Sequence, residues 1–197
     1  RMNKIVVASG NKAKLREIGE IFKGYDVVSM QDAGFSDDID ETGETFEENA
    51  LIKARAVHEK LHCAALADDS GLCVEYLGGA PGVYSARFCG RHGDDKANNL
   101  LLLEKLAGVP AEKRTAYFES CVALVTETGE EIVASGRTYG RILDAEQGNG
   151  GFGYDPLFFS EELQKSFGLA APQEKNAVSH RGKALAVLAE KLRERGL

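Results

Sequence analysis

The chain opens with a short apolar run, Lys4 to Ala8 (KIVVA), whose β-branched residues predict a buried strand. Ser9-Gly10-Asn11 punctuates it, and Leu15, Ile18, Ile21 and Phe22 then recur at helical spacing. A strand over 26 to 30 and an acidic loop over 31 to 43 follow. Thr45 is placed to cap a second helix, with Glu48 as its capping-box partner and Ala50, Lys53, Ala54 and Val57 continuing it. Cys63 to Ala67 (CAALA) is again short and apolar. It runs into Asp68-Asp69-Ser70-Gly71, a pattern that predicts a buried strand with carboxylates at its end.

The rest of the chain is less regular. Residues 77 to 83 (LGGAPGV) are turn-rich, and 98 to 106 have the composition of a helix. Two β-type runs, 117 to 126 and 131 to 139, flank Glu127-Thr128-Gly129-Glu130 and predict an antiparallel hairpin. Gly148 to Gly153 (GNGGFG) is the most glycine-dense stretch, and 180 to 195 carry Leu185, Leu188 and Leu192 at helical spacing. Strand–helix alternation followed by a hairpin predicts an α/β fold, a mixed twisted sheet with flanking helices. No repeat and no long linker divides the chain, so one domain over 1–197 is expected.

Composition narrows the function. With 197 residues, 43% of them hydrophobic, the chain can bury a core without disulfides or a structural metal. A net charge of -7, from 31 acidic and 24 basic residues, argues against a broad grip on nucleic acid or an anionic membrane, while a local basic pocket for a small anion stays open. Cys63, Cys73, Cys89 and Cys121 show neither metal-ligand spacing nor a disulfide framework and read as reduced thiols. No stretch nears the roughly 18 apolar residues of a membrane span, and no signal-peptide pattern is seen, so a cytoplasmic protein is expected. Arg1 ahead of Met2 reads as an addition before a natural start.

Four segments carry chemistry. Ser9-Gly10-Asn11-Lys12-Ala13-Lys14 joins a strand to a helix, where backbone N–H groups, the helix dipole and Lys14 suit a phosphate chain; an ordinary α/β turn is the plainer reading. The carboxylates Glu41, Glu48, Asp68 and Asp69 offer hard oxygen ligands of the kind magnesium takes, although Asp69-Ser70-Gly71 alone reads more readily as a turn. Lys53 is a partner for them, a phosphate contact or an exposed lysine. Phe152, between glycines in Gly150 to Pro156, offers a flat ring on which a base can stack; the alternative tucks Phe152 and Tyr154 into the core. Ser179 can cap the last helix. His180 and Arg181 beside it are cations at a helix N-terminus, which favours an anionic or accepting group in front of them.

Taken in order, SGNKAK (9–14), ETGETFEENALIKA (41–54), ADDSGL (67–72), LGGAPGVYSARF (77–88), GGFGYDPLF (150–158) and SHRGKAL (179–185) closely resemble the inosine triphosphate pyrophosphatase family of RdgB type. The stretch around 94 to 99 and the hairpin are its least typical parts. The resemblance implies a two-lobed fold with the active site in a cleft between lobes, a homodimer, and Mg2+ as cofactor. It implies hydrolysis of ITP, dITP and XTP to the monophosphate and pyrophosphate. It assigns phosphate binding to Ser9, Gly10, Asn11, Lys12, Ala13 and Lys14, and metal binding to Glu41 and Asp69. Catalysis falls to Asp69 as proton acceptor with Asp68 and Lys53 in support, and Ser70 contacts the nucleotide. The base falls to Phe152, Gly153, Tyr154, Asp155, Lys175, His180 and Arg181. Two other readings stay open: a pyrophosphatase for modified pyrimidine or methylated nucleotides, and a regulator that binds nucleotide without cleaving it.

Overall fold

The computed structural model describes residues 3–197, so the expectation about Arg1 and Met2 lies outside the described residues. The elements are β1 (Lys4–Val7), α1 (Lys12–Ile21), β2 (Asp26–Ser29), α2 (Phe46–Leu61), β3 (Ala64–Val74), α3 (Asp95–Lys105), β4 (Thr115–Val125), β5 (Glu131–Ile142), β6 (Phe158–Ser160), β7 (Lys165–Ser166), α4 (Pro172–Ala177) and α5 (His180–Glu194). Seven strands form one mixed sheet in the order β2-β1-β3-β4-β5-β6-β7. β1 is parallel to β2 and to β3, whereas β6 is antiparallel to β5 and to β7. The five residues between β4 and β5 are too few for a parallel crossover, so this pair is the expected hairpin.

Two units divide the chain. The first holds residues up to Asp69, 120–136 and 181–197; the second holds 70–119 and 137–180. In the first, the chain leaves β1 through α1 to β2 and returns through α2 to β3 on β1's other side. Such a reversal puts the two helices on opposite faces. The packing follows: Ile5, Val7, Ala64 and Leu66 share a core with Ile18 of α1 and Leu185, Leu188 and Leu192 of α5. Val6 and Ala65 pack with Val57 of α2, and Ala67 with Ala50 and Ala54. The period of two along β3 is thus fixed before it reaches Asp68.

β3 runs longer than CAALA predicted. Asp68 to Gly71 do not turn; they continue the strand to Val74, because Leu72 and Val74 are fully buried in the second unit's core. The other departures are β6, β7 and α4, too short to show a period, and α3, which begins at Asp95 because Asp94 caps it by accepting from the Ala97 N–H at 3.1 Å.

The second unit packs Leu72, Val74, Leu102, Leu106, Phe118, Phe158 and Phe167 around Leu157. Within it Arg114 is 5% exposed and bonds only to backbone. Its guanidinium donates to the carbonyls of Leu106 (2.7 Å), Val109 (3.2 Å), Ile142 (2.8 Å) and Leu143 (2.9 Å), tying the end of α3 to the end of β5. Replacing Arg114 by Met removes the donors and strands buried acceptors. We expect a loss of about 3 kcal/mol or more in urea unfolding; an unchanged midpoint would remove Arg114 as an anchor.

Candidate active site

In the first unit β1 stops at Val7, opposite Leu66, and Ala8 makes one last bond from its N–H to the Leu66 carbonyl (2.9 Å). Beyond Ala67, β3 has no β1 residue beside it. The gap lies at the carboxyl end of parallel strands, next to the start of α1, the usual place for a ligand in a sheet of this kind. Asp68 and Asp69 arrive there, and the alternation set by Leu66 and Ala67 sends them to opposite faces.

Asp68 turns to the α1 side. Its Oδ1 accepts from Lys14 Nζ at 3.1 Å, while Oδ2 is buried with no hydrogen-bond partner. Burial acts to raise its pKa, but the Lys14 ammonium, with Lys53 and Arg181 behind it, outweighs burial and holds the carboxyl below its ordinary value. Asp69 turns to the α2 side, where Asn49 Nδ2 donates to Oδ2 at 3.1 Å. Here burial wins: with Glu41 and Asp68 adding negative charge against the pull of Lys53 and Asn49, Asp69 is pushed up to about 6. Lys53 joins the groups, donating to the Asp68 carbonyl at 2.5 Å and pairing with Glu41 Oε1 at 3.1 Å. Asn49, 3% exposed, also accepts from the Gly43 N–H at 2.7 Å and so fixes the loop that carries Glu41. A Cβ on Gly43 would come within 2.7 Å of Asn49 Oδ1, so the loop needs glycine there.

Asn11 is the N-cap of α1, and its Oδ1 accepts from the Ala13 and Lys14 N–H groups at 2.9 and 3.2 Å. Its own N–H goes to Ser9 Oγ at 3.1 Å. Beyond that cap, Ser9 to Lys14 offer an exposed Gly10, the exposed Lys12 and the Lys14 ammonium. Glu48 helps to cap α2, its carboxylate accepting from the Glu44 N–H at 2.7 Å. Ser70, next on β3, belongs to the second unit, and its buried hydroxyl has no partner.

Arg181 at the start of α5 lies in the first unit, where it pairs with Glu17 of α1 at 2.9 Å. This is the anionic group that its helix position called for, supplied by the protein itself. Sequence reasoning grouped Arg181 with the base; the structure puts it close enough to Asp68 to lower that carboxyl. Arg181 Nε and Glu17 Oε1 are both buried without partners.

The second unit gathers the aromatic set. Phe152 is 75% exposed, on a loop whose Gly151 has φ +70° and would drive a Cβ to 2.1 Å from Asp155 Oδ2. The Phe152 N–H donates to that same oxygen at 3.0 Å, and Lys175 pairs with it while lying 4.2 Å from the Phe152 ring centroid. Burial raises Asp155, although Lys175 and the Phe152 N–H pull the other way. Tyr154 is 5% exposed in the core, with its hydroxyl donating to the Ser85 carbonyl at 2.6 Å. His180 stacks on Phe118 at 5.4 Å. Asp95 and Asn99 of α3, which sequence reasoning passed over, bond to Gly153. Among the described residues no disulfide joins Cys63, Cys73, Cys89 or Cys121.

A family model described as the Ham1 family matches residues 5–191. The chain belongs to the Ham1 family. It is 48% identical over 200 residues to the dITP/XTP pyrophosphatase of Clostridium perfringens, covering 98% of each chain. Among solved structures, the Staphylococcus aureus Ham1 protein matches with a TM-score of 0.92 and 37% identity, over 98% of this chain and 100% of that one. A nucleoside-triphosphatase/dITP/XTP pyrophosphatase from Mycobacterium abscessus matches at 0.82 and 49%, over 94% of this chain and 98% of its own. The mixed α/β sheet expected from the sequence is therefore the Ham1 fold.

Among the described residues no three His, Cys, Asp or Glu side chains gather as a metal group. Two carboxylates, Glu41 and Asp69, could hold a divalent ion that takes its other ligands from phosphate and water. A folded pKa above the unfolded carboxylate value of about 4 means that ionising Asp69 costs stability, a cost absent below about pH 4 and complete above the folded value. In chelator, the stability advantage of Asp69→Asn over the native chain should therefore grow between about pH 4 and 6 and then level off. Urea midpoints across that window test this; a constant difference would mean that Asp69 is not raised.

Proposed function

We propose that this chain hydrolyses non-standard purine nucleoside triphosphates (ITP, dITP and XTP) to the monophosphate and pyrophosphate, as one domain over 1–197. The observation that carries the reading is the Asp68–Asp69 pair on β3, met by Lys14, Lys53 and Glu41. The names of its relatives support the substrate class.

Water attacks the α-phosphorus, its oxygen forms the new P–O bond, and the bond to the bridging oxygen of pyrophosphate breaks. Asp69 takes the proton from that water, as a carboxylate brought to the end of β3 beside Lys53 and Asn49. Asp68, kept ionised, holds Lys14 in place, and Lys14 and Lys53 neutralise charge that builds on the phosphates. When bound by Glu41 and Asp69, Mg2+ would supply further charge neutralisation on the triphosphate. Phe152 stacks on the base, and Lys175 with Asp155 keeps that ring in place. His180 and Arg181 complete the purine-binding set carried over from the resemblance. An adenine, which presents a donor where hypoxanthine presents a 6-oxo acceptor, would leave buried groups unpaired. A homodimer in the cytoplasm is part of the proposal, as is the absence of a stable grip on nucleic acid.

Pyrophosphate release from the triphosphates of inosine, xanthosine, adenosine, guanosine and cytidine, with magnesium and with chelator, tests the reading. Strong magnesium-dependent release from only the first two is expected. Preference for modified pyrimidines in the same panel would overturn the base assignment, and binding without release would leave a regulator. Asp69→Asn should lower ITP turnover by at least about 100-fold; full turnover would remove it as proton acceptor.

A further inference from the structure

Phe152 projects into solvent, so its ring gains little hold from packing and its position depends on the backbone beside it. That backbone is held from α3. Asp95 Oδ2 accepts from the Gly153 N–H at 3.0 Å, and Asn99 Nδ2 donates to the Gly153 carbonyl at 3.1 Å. The two side chains are four residues apart, one helical turn, and so present to the same side of α3. Both polar groups of a single residue are thereby clamped.

The clamp has only one sense. Asn99 is 5% exposed, and its Oδ1 is buried without a partner; turning the carboxamide over would set oxygen against the Gly153 carbonyl. A cavity of about 620 Å3, lined by Asp95, Asn99, Leu100, Leu103, Gly150 and Phe152, lies along the same helix and loop. Gly150 and Gly151 put no side chains into it. On this side the loop is held by hydrogen bonds and not by a filled core. Asp155 and Lys175 hold the loop through Phe152, and Gly168 accepts from the Gly150 N–H at 2.9 Å.

We propose that Asp95 and Asn99 are positioning residues for base selection, setting the Phe152 ring by clamping Gly153. This rests on the reading that a purine stacks on Phe152. It gives residues 94 to 99, the part of the chain least typical of the family, a part in deciding which nucleotide is accepted.

The test compares kcat and KM for ITP and GTP in Asp95→Ala, Asp95→Asn, Asn99→Asp and Phe152→Ala, and in the first and third combined with Phe152→Ala. Thermal midpoints are measured alongside. Asp95→Ala and Asn99→Asp should each lower the ITP-to-GTP ratio of kcat/KM roughly ten-fold, the loss falling on KM more than on kcat. Asp95→Asn should recover most of it, since an amide oxygen still accepts from the Gly153 N–H. Neither change should move the ratio further once Phe152 is Ala. A lowered midpoint with an unchanged ratio would make the clamp a structural staple and overturn the proposal. A kcat/KM left unmoved for both nucleotides by Phe152→Ala would sink the stacking reading itself, and a ratio left unmoved would sink the proposal. Asp95 is exposed, so its variants decide the matter should Asn99→Asp fail to fold.

Discussion

Two carboxylates on neighbouring positions of a strand that is buried on both faces cannot both stay ionised without compensation. That constraint organises the first unit. On one face Asp68 is compensated by Lys14, with Arg181 adding its field, and the pair needs α1 and α5 on that side. On the other, Asp69 receives only an amide and a share of Lys53, whose charge Glu41 also draws on. The neighbours thus divide the work. One is a fixed anion that orders a lysine, and the other is a carboxyl left under-compensated, able to exchange a proton or accept a cation.

The second unit solves a different problem, displaying an apolar ring without burying it. Glycine at 151 lets the Asp155 carboxylate come up under the loop, where it serves the Phe152 N–H and Lys175 together. The lysine then lies against the ring it helps to support, an arrangement in which charge and aromatic face stabilise one another. Tyr154, one residue beyond Gly153, points inward and secures the loop to the core through the Ser85 carbonyl.

Local patterns made much of this legible. KIVVA followed by SGN marked a strand, a cap and a helix, and CAALA followed by two aspartates marked a buried strand bearing charge. The glycines around Phe152 marked a loop that approaches something closely. What stayed hidden were partnerships across long stretches of chain: Arg181 with Glu17, Asn99 with Gly153, Asn49 with Asp69. Asparagine on a helix has no periodicity to betray that its amide reaches a loop far away in sequence. The end of β3 was misjudged for a related reason. Asp-Ser-Gly is turn-forming in isolation, and only the burial of Leu72 and Val74 carries the strand through it.

Arg114 carries this furthest. Each of its four acceptors is a main-chain carbonyl, which every amino acid supplies, so Leu106, Val109, Ile142 and Leu143 can change identity without loosening it. Lysine could not replace the arginine, because a single ammonium cannot spread its donors over four such oxygens. No second side chain needs to change in step with this one. Evolution would register the anchor as a solitary arginine without a covarying mate, invisible to any method that infers contacts from paired substitutions.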